Sequence, residues 1–306
     1  MPEKDIDTIN RQQQRRKRIN RIKNGIIITI ASWMLISIAT IIILVVQVVG
    51  LNQKYKKINA MVTSLDTSET EDTEQNDKYA NVVTGIDTED NMYQEGDQRK
   101  GYLTFDCIPN ENTNVILDAL KELNVKATFF VTGDDSEEAK AIYRRIVNEG
   151  HTLGMLSYSN SYSKIYSSTD SFLEDMQKLQ DYLREVTGVT CKYYRFLGGS
   201  FNEISDLNMA EFVHVLNENQ IVYYDWNVNA GDTGANYTVD DVVMNVTQGV
   251  SHYKNSVIRL HDSDHNQKTT EAITTLVNAL KEADVDVLPI DESTYKVQYI
   301  KADSVD

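Results

Sequence analysis

Apolar positions change regime three times along the chain. From Ile26 to Val49 they run almost unbroken, without a charged residue. At 1.5 Å of rise per residue, about 20 residues cross roughly 30 Å of hydrocarbon, so this run predicts a transmembrane helix over 25–50. Residues 66–77 are the opposite, a polar and acidic stretch with no apolar member, and they read as a solvated tether. From Gly101 onward short apolar runs alternate with longer amphipathic ones. The runs predict strands at 101–106, 127–131, 151–155, 192–196, 221–225, 256–260 and 286–289. The amphipathic segments predict helices at 113–122, 136–148, 169–186, 203–218, 238–248 and 269–283. In the third helix Phe172, Leu173, Met176, Leu179, Leu183 and Val186 mark the buried stripe. An edge strand near Val82 and Val83 is weaker, and 87–99 reads as loop.

Strands separated by helices pair in parallel through right-handed crossovers, which leaves two α/β architectures open: an open sheet or a closed barrel.

Charge sharpens the division of the chain. The formal net charge is -16, yet Arg11, Arg15, Arg16, Lys17, Arg18, Arg21 and Lys23 crowd just before the apolar run. The rest of the chain is therefore more acidic than the total suggests. Such a body is a poor partner for nucleic acid and a better one for neutral or cationic polymers. Basic residues ahead of a membrane span keep that end cytoplasmic. The run is longer than the apolar region of a signal peptide and is rich in Ile and Val, which favours an uncleaved anchor. The predicted organisation is a cytoplasmic basic tail over 1–24, a membrane helix over 25–50, a juxtamembrane segment and acidic linker over 51–98, and a catalytic-type domain over 99–306. Cys107 and Cys191 are the chain's two cysteines, so this is not a disulfide-built scaffold.

Candidate chemistry gathers at the predicted strand ends. Thr104-Phe105-Asp106-Cys107-Ile108-Pro109 is followed by Thr113 and by Ala127-Thr128-Phe129-Phe130. His151-Thr152-Leu153-Gly154 leads to Leu156 and Asn160; Arg195-Phe196-Leu197-Gly198-Gly199 comes next; then Asp225-Trp226 with Asp232, and Leu260-His261-Asp262. Taken in order at this spacing, these segments resemble the five motifs of the polysaccharide deacetylase family (the NodB homology domain, carbohydrate esterase family 4). The resemblance covers roughly 100–290. It implies a distorted (β/α)7 barrel of the deacetylase type, here preceded by one transmembrane helix, with the site at the carboxyl ends of the strands.

By the same resemblance, Asp106 matches the general base, Arg195 the residue that holds that base ionised, His261 the general acid and Asp232 the carboxylate that orients it. A structural ion-pair role for Arg195 and Asp232 is an equal reading. The metal-binding positions depart from the pattern. Cys107 stands where a metal-binding Asp belongs, and Leu156 and Asn160 stand where two His ligands belong. Three protein ligands and an open position are the usual minimum for a catalytic zinc site, so no metal is expected; an active protein would need Zn2+ or another divalent ion. His151 matches a residue ahead of the ligands and is read as packing or hydrogen bonding. Asp264 and His265 are read as solvated loop residues rather than a relocated metal site. Tyr158, Trp226 and Phe201 are the candidate sugar-stacking residues.

The resulting expectation is a single-pass protein of a Gram-positive cell membrane. Its extracellular deacetylase-like domain would bind cell-wall polysaccharide such as peptidoglycan with impaired catalysis, its partners being that glycan and, through 25–50, the lipid bilayer. Two alternatives stand beside it. One is an active hydrolase of N-acetyl or O-acetyl groups, and the other a structural or interaction module.

Overall fold

The computed structural model describes residues 82–86, 88–234 and 236–305. Among the described residues eight strands and seven helices follow one another, alternating as expected except where a short extra helix precedes the fourth and an extra two-residue strand follows the fifth strand directly. They are β1 (Arg99–Cys107), α1 (Glu111–Glu122), β2 (Thr128–Thr132), α2 (Glu137–Asn148), β3 (Thr152–Ser157), α3 (Tyr162–Ile165), α4 (Thr169–Thr187), β4 (Tyr193–Tyr194), α5 (Met209–Glu218), β5 (Val222–Tyr223), β6 (Val228–Asn229), α6 (Val239–Val250), β7 (Asn255–Asp262), α7 (Gln267–Glu282) and β8 (Val285–Leu288). Polar side chains set several helix starts. Ser136, Ser168, Asn208 and Thr238 each accept a backbone N–H at the first turn, and Gly188 closes α4 in the left-handed conformation.

All strand pairings are parallel, in the order β5-β4-β3-β2-β1-β7-β6. The centre is β1. Its residues 100–107 pair with β7, while β8 takes Arg99 to Tyr102 and β2 takes Thr104 to Cys107. Leu103, Phe105 and Cys107 on one face and Thr104 on the other are fully buried. This covering of both faces is why the segment reads as a nearly continuous apolar run. The sheet curls toward the expected barrel, with no strand pairing between β5 and β6 among the described residues. That corner is packed by the chain's end: Asp225 N–H donates to Val297 O at 2.8 Å, and Gln298 Nε2 donates to Tyr223 O at 2.9 Å.

Three local expectations shift. The helix predicted from 203 begins at Met209, because Asn202 folds the preceding residues into turns through Gly199 O and Ile204 N–H. Strand β6 is too short to give a periodic signal. Val83 and Thr84 form only a bridge region, in which Thr84 pairs with Ile300.

The membrane part of the expectation is corrected. The predicted span over 25–50 lies outside the described residues, and among the described residues no helix is long and apolar enough to cross a bilayer. The longest, α4, carries Asp170, Glu174, Asp175, Lys178, Asp181, Arg184 and Glu185, as a helix lying on a barrel should. The single-pass topology, the bilayer as partner and the cell-membrane location with an extracellular domain therefore find no support in the described residues. The function below is built without them.

His151 plays the predicted structural part. Its Nδ1 accepts Ala127 N–H at 3.1 Å, and its ring meets Phe129 edge-on at 5.5 Å. Burial, with help from Lys126, lowers its pKa to about 4. The unfolded chain takes up this proton below about pH 6.5, and the folded state refuses it until about pH 4, so stability falls as pH drops through that window. His151 should cost about 3 kcal/mol of stability at the acid end of the window. Urea unfolding at pH 7 and pH 4.5 checks this: the acid loss should be smaller by about 2 kcal/mol in His151→Gln, and equal losses would refute it.

Candidate active site

The carboxyl ends of β1 and β7 lie side by side, with Thr104 opposite Arg259 and Asp106 opposite His261. Side chains alternate along a strand, so Asp106 and Thr104 share a face with Arg259 and His261. Asp106, 7% exposed, is held at both oxygens. Arg195 Nη1 donates to Oδ1 at 3.0 Å, and Arg259 Nε donates to Oδ2 at 2.7 Å. Burial pushes the Asp106 carboxyl up, but Arg259 and then Arg195 outweigh it and hold the pKa below the ordinary carboxylate value.

Arg195 is fully buried and each of its nitrogens has an acceptor. It also donates to Thr104 Oγ1 at 2.8 Å, Tyr224 O at 3.0 Å and Asp225 O at 3.3 Å, and its guanidinium lies 4.3 Å from the centre of the Phe130 ring. Asp225 in turn accepts Ser200 N–H, Ser200 Oγ–H and Tyr299 N–H, which ties the loop after β4 to the chain's end.

On the β7 side, Asp232 takes three donors. Its Oδ1 lies 2.7 Å from His261 Nδ1, while Oδ2 accepts His261 N–H at 2.8 Å and Thr269 Oγ1–H at 2.9 Å. A carboxylate at Nδ1 fixes the proton there and leaves Nε2 free, 3.9 Å from Asp106 Oδ2. His261 also borders a polar cleft of about 700 Å³ lined by Asp232, Tyr237, Asp264, His265 and Lys268. The sequence-named quartet Asp106, Arg195, Asp232 and His261 is therefore brought together.

The three metal positions do not combine. The buried Cys107 thiol donates to Asp262 Oδ2 at 3.1 Å, beside Thr113 Oγ1–H at 2.7 Å on the same oxygen and Asn110 Nδ2 at 3.2 Å on Oδ1. Burial and then Asp262 push this thiol well above its ordinary range, and it serves here as a donor to Asp262. Leu156 is a buried core residue without a donor atom. Asn160 is exposed at a turn with φ of 49°. Among the described residues no group of three or more His, Cys, Asp or Glu is placed to hold an ion. The residues present do not fit a catalytic metal.

The aromatic candidates separate. Trp226 lies at the site, with Arg259 3.9 Å over its ring, and Phe201 packs on it at 5.4 Å. Phe201 is 38% exposed and also meets Tyr299 at 5.1 Å. Tyr158 is packed against Gly133 and Tyr182, with Lys178 Nζ 3.8 Å over its ring. Sequence reasoning missed Arg259, Tyr299 and Asp175. Asp175 holds the loop after β3 by accepting Ser157 Oγ–H, Tyr158 N–H and Ser159 N–H. Their signal was a charge within an otherwise apolar strand or helix stripe for Arg259 and Asp175; Tyr299 had none.

The polysaccharide deacetylase family pattern matches residues 93–215. The putative polysaccharide deacetylase YheN of Bacillus subtilis is 31% identical over 211 residues, covering 68% of this chain and 71% of that protein. A peptidoglycan-N-acetylglucosamine deacetylase of Bacillus cereus is 32% identical over 183 residues, covering 58% of this chain and 62% of the enzyme. The solved catalytic domain of a peptidoglycan N-acetylglucosamine deacetylase from Eubacterium rectale superposes with a TM-score of 0.62 at 30% identity, covering 68% of this chain and 94% of that one.

Removing one member of a buried charge pair strands the other, typically for about 3–5 kcal/mol. Arg195→Met should lose stability in that range by urea unfolding. A loss under about 1 kcal/mol would mean that the pair does not hold the barrel top together.

Proposed function

The chain belongs to the polysaccharide deacetylase family, and from that premise we propose that its described domain binds N-acetylated glycan without performing the metal-dependent hydrolysis. The observation that carries this reading is the Cys107 thiol engaged on Asp262, with Leu156 and Asn160 at the other two ligand positions. Amide hydrolysis requires a developing oxyanion to be stabilised. Loss of one good donor costs about 3–4 kcal/mol in hydrolases, and loss of a divalent ion removes both that stabilisation and the activation of water. Asp106 is also a weakened base, since both of its oxygens are engaged and its pKa is lowered.

What remains suits binding. Phe201 and Tyr299, both exposed and with Phe201 backed by the buried Trp226, form an aromatic surface beside polar groups, the combination on which pyranose faces stack while hydroxyls pair. A glycan of the peptidoglycan type is the substrate class that the relatives' chemistry suggests.

A second reading, an active deacetylase, is favoured by one specific observation. The Asp232–His261 pair at 2.7 Å and the Arg195–Asp106 pair at 3.0 Å keep an acid and a base 3.9 Å apart. In that reading Asp106 and His261 exchange protons with water and the leaving amine.

The full-length protein should be retained by an N-acetylglucosamine tetramer, carry no stoichiometric zinc by elemental analysis and release no acetate. Tightly bound metal together with acetate release would establish the second reading instead. Restoring the donors by Cys107→Asp, Leu156→His and Asn160→His, with Arg259→Leu to free Asp106, should bring one zinc ion per chain and measurable acetate release.

A further inference from the structure

Arg259 is a charged site residue that neither the motif pattern nor the matched region 93–215 explains. It rises from β7, opposite Thr104 in the β1 register, in the midst of Val257, Ile258 and Leu260. An arginine in a strand of that kind is costly unless its charge is met. One side of it is met: Nε donates to Asp106 Oδ2 at 2.7 Å, and the guanidinium lies 3.9 Å over the Trp226 ring. Asp106 is shared with Arg195, so two guanidiniums face one carboxylate. The other side of Arg259 is open. Among the described residues no acceptor meets either Nη, and the side chain keeps 15% of its surface exposed. His261, with Nε2 unoccupied by Asp232, stands two residues along the same face.

A guanidinium held on one side by a stacked indole and a carboxylate has lost its rotamer freedom already. Its free Nη edge is then a preorganised pair of donors for a planar oxygen group. We propose that Arg259 is the resident cation of this site, binding the acyl or carboxylate oxygen of a ligand, a task that a metal-dependent relative would give to its ion. The inference rests on the glycan-binding reading for its natural ligand, an N-acetyl group on a sugar. The oxygen-binding chemistry itself is independent of that ligand. The excess guanidinium supplies the attraction, and the exposed Phe201–Tyr299 pair, with Phe201 packed on Trp226, offers an aromatic face to the ring that carries the acyl group.

Two probes separate the sources of the oxygen: sodium acetate, and an N-acetylglucosamine tetramer set against its fully de-acetylated counterpart. Each is titrated against the full-length protein, Arg259→Met and Arg259→Lys, with the Arg259 Nε–H resonance followed in the unaltered protein. Acetate should move that resonance. Arg259→Met should weaken acetate and the acetylated tetramer tenfold or more, Arg259→Lys should weaken them less, and the de-acetylated tetramer should change little. Unchanged acetate affinity in Arg259→Met, or acetate that leaves the Nε–H resonance still, overturns the proposal. The resonance decides the matter even where the methionine variant does not fold. Acetate binding through Arg259 without tetramer retention would sink the glycan reading and keep the cation. Tetramer retention that is indifferent to Arg259→Met would do the reverse.

Discussion

One buried carboxylate organises the top of this barrel. Asp106 sits at the end of the central strand and draws a guanidinium to each of its oxygens, Arg195 from the strand across the barrel and Arg259 from the neighbouring one. Neither arginine would be tolerable in that position alone, because an unpaired buried charge costs several kcal/mol. Their other contacts spread the constraint outward. Arg195 fixes the backbone at Tyr224 and Asp225, Asp225 fixes Ser200 and Tyr299, and Arg259 fixes Trp226. The loops that would face a ligand are thus hung from a single charge.

The same arrangement explains how the site persists without ligand positions for a metal. A thiol that donates to Asp262 leaves the end of β1 neutral where a carboxylate would add charge. Leu156 adds to the core, and Asp175 holds the loop that carries Asn160 without help from an ion. Each position that would have depended on coordination is instead satisfied by hydrogen bonding or burial, so the loops need no ion to stay in place.

Much of this was legible in the chain because the barrel repeats one local instruction. Runs such as Leu103 to Asp106 and Val257 to Leu260 show period and length plainly, and their polar ends mark where strands deliver side chains to a common face. The quartet Asp106, Arg195, Asp232 and His261 could be named because those positions match the motifs of the family that the chain resembles. Val228–Asn229 could not, since two residues carry no period. Tyr299 could not either, since the end of the chain is placed by Asp225 and Ser200 rather than by any pattern of its own. Arg259 was visible as a charge in an apolar strand, but its partner lies 153 residues earlier in the chain, and only the β1–β7 register joins them. The long apolar run near the amino terminus lies outside the described residues, and among those no helix is long and apolar enough to cross a membrane.

Charge balance connects the altered ligand positions to Arg259. By the resemblance that the motifs carry, a working site would hold a divalent cation, two carboxylates and one guanidinium, leaving one net positive charge. The present floor holds two guanidiniums and one carboxylate, and the net charge is the same. A barrel top shaped to surround that charge can exchange an ion and its ligand carboxylate for one arginine with little change in the field on its neighbours. The exchange is not neutral for chemistry. An ion can polarise an acyl oxygen and bind water at once, whereas a guanidinium can only hold the oxygen. It also resists reversal, because restored ligands would place a divalent ion beside an arginine that already claims Asp106. That repulsion sets Arg259, besides the three ligand positions, against a metal at this site.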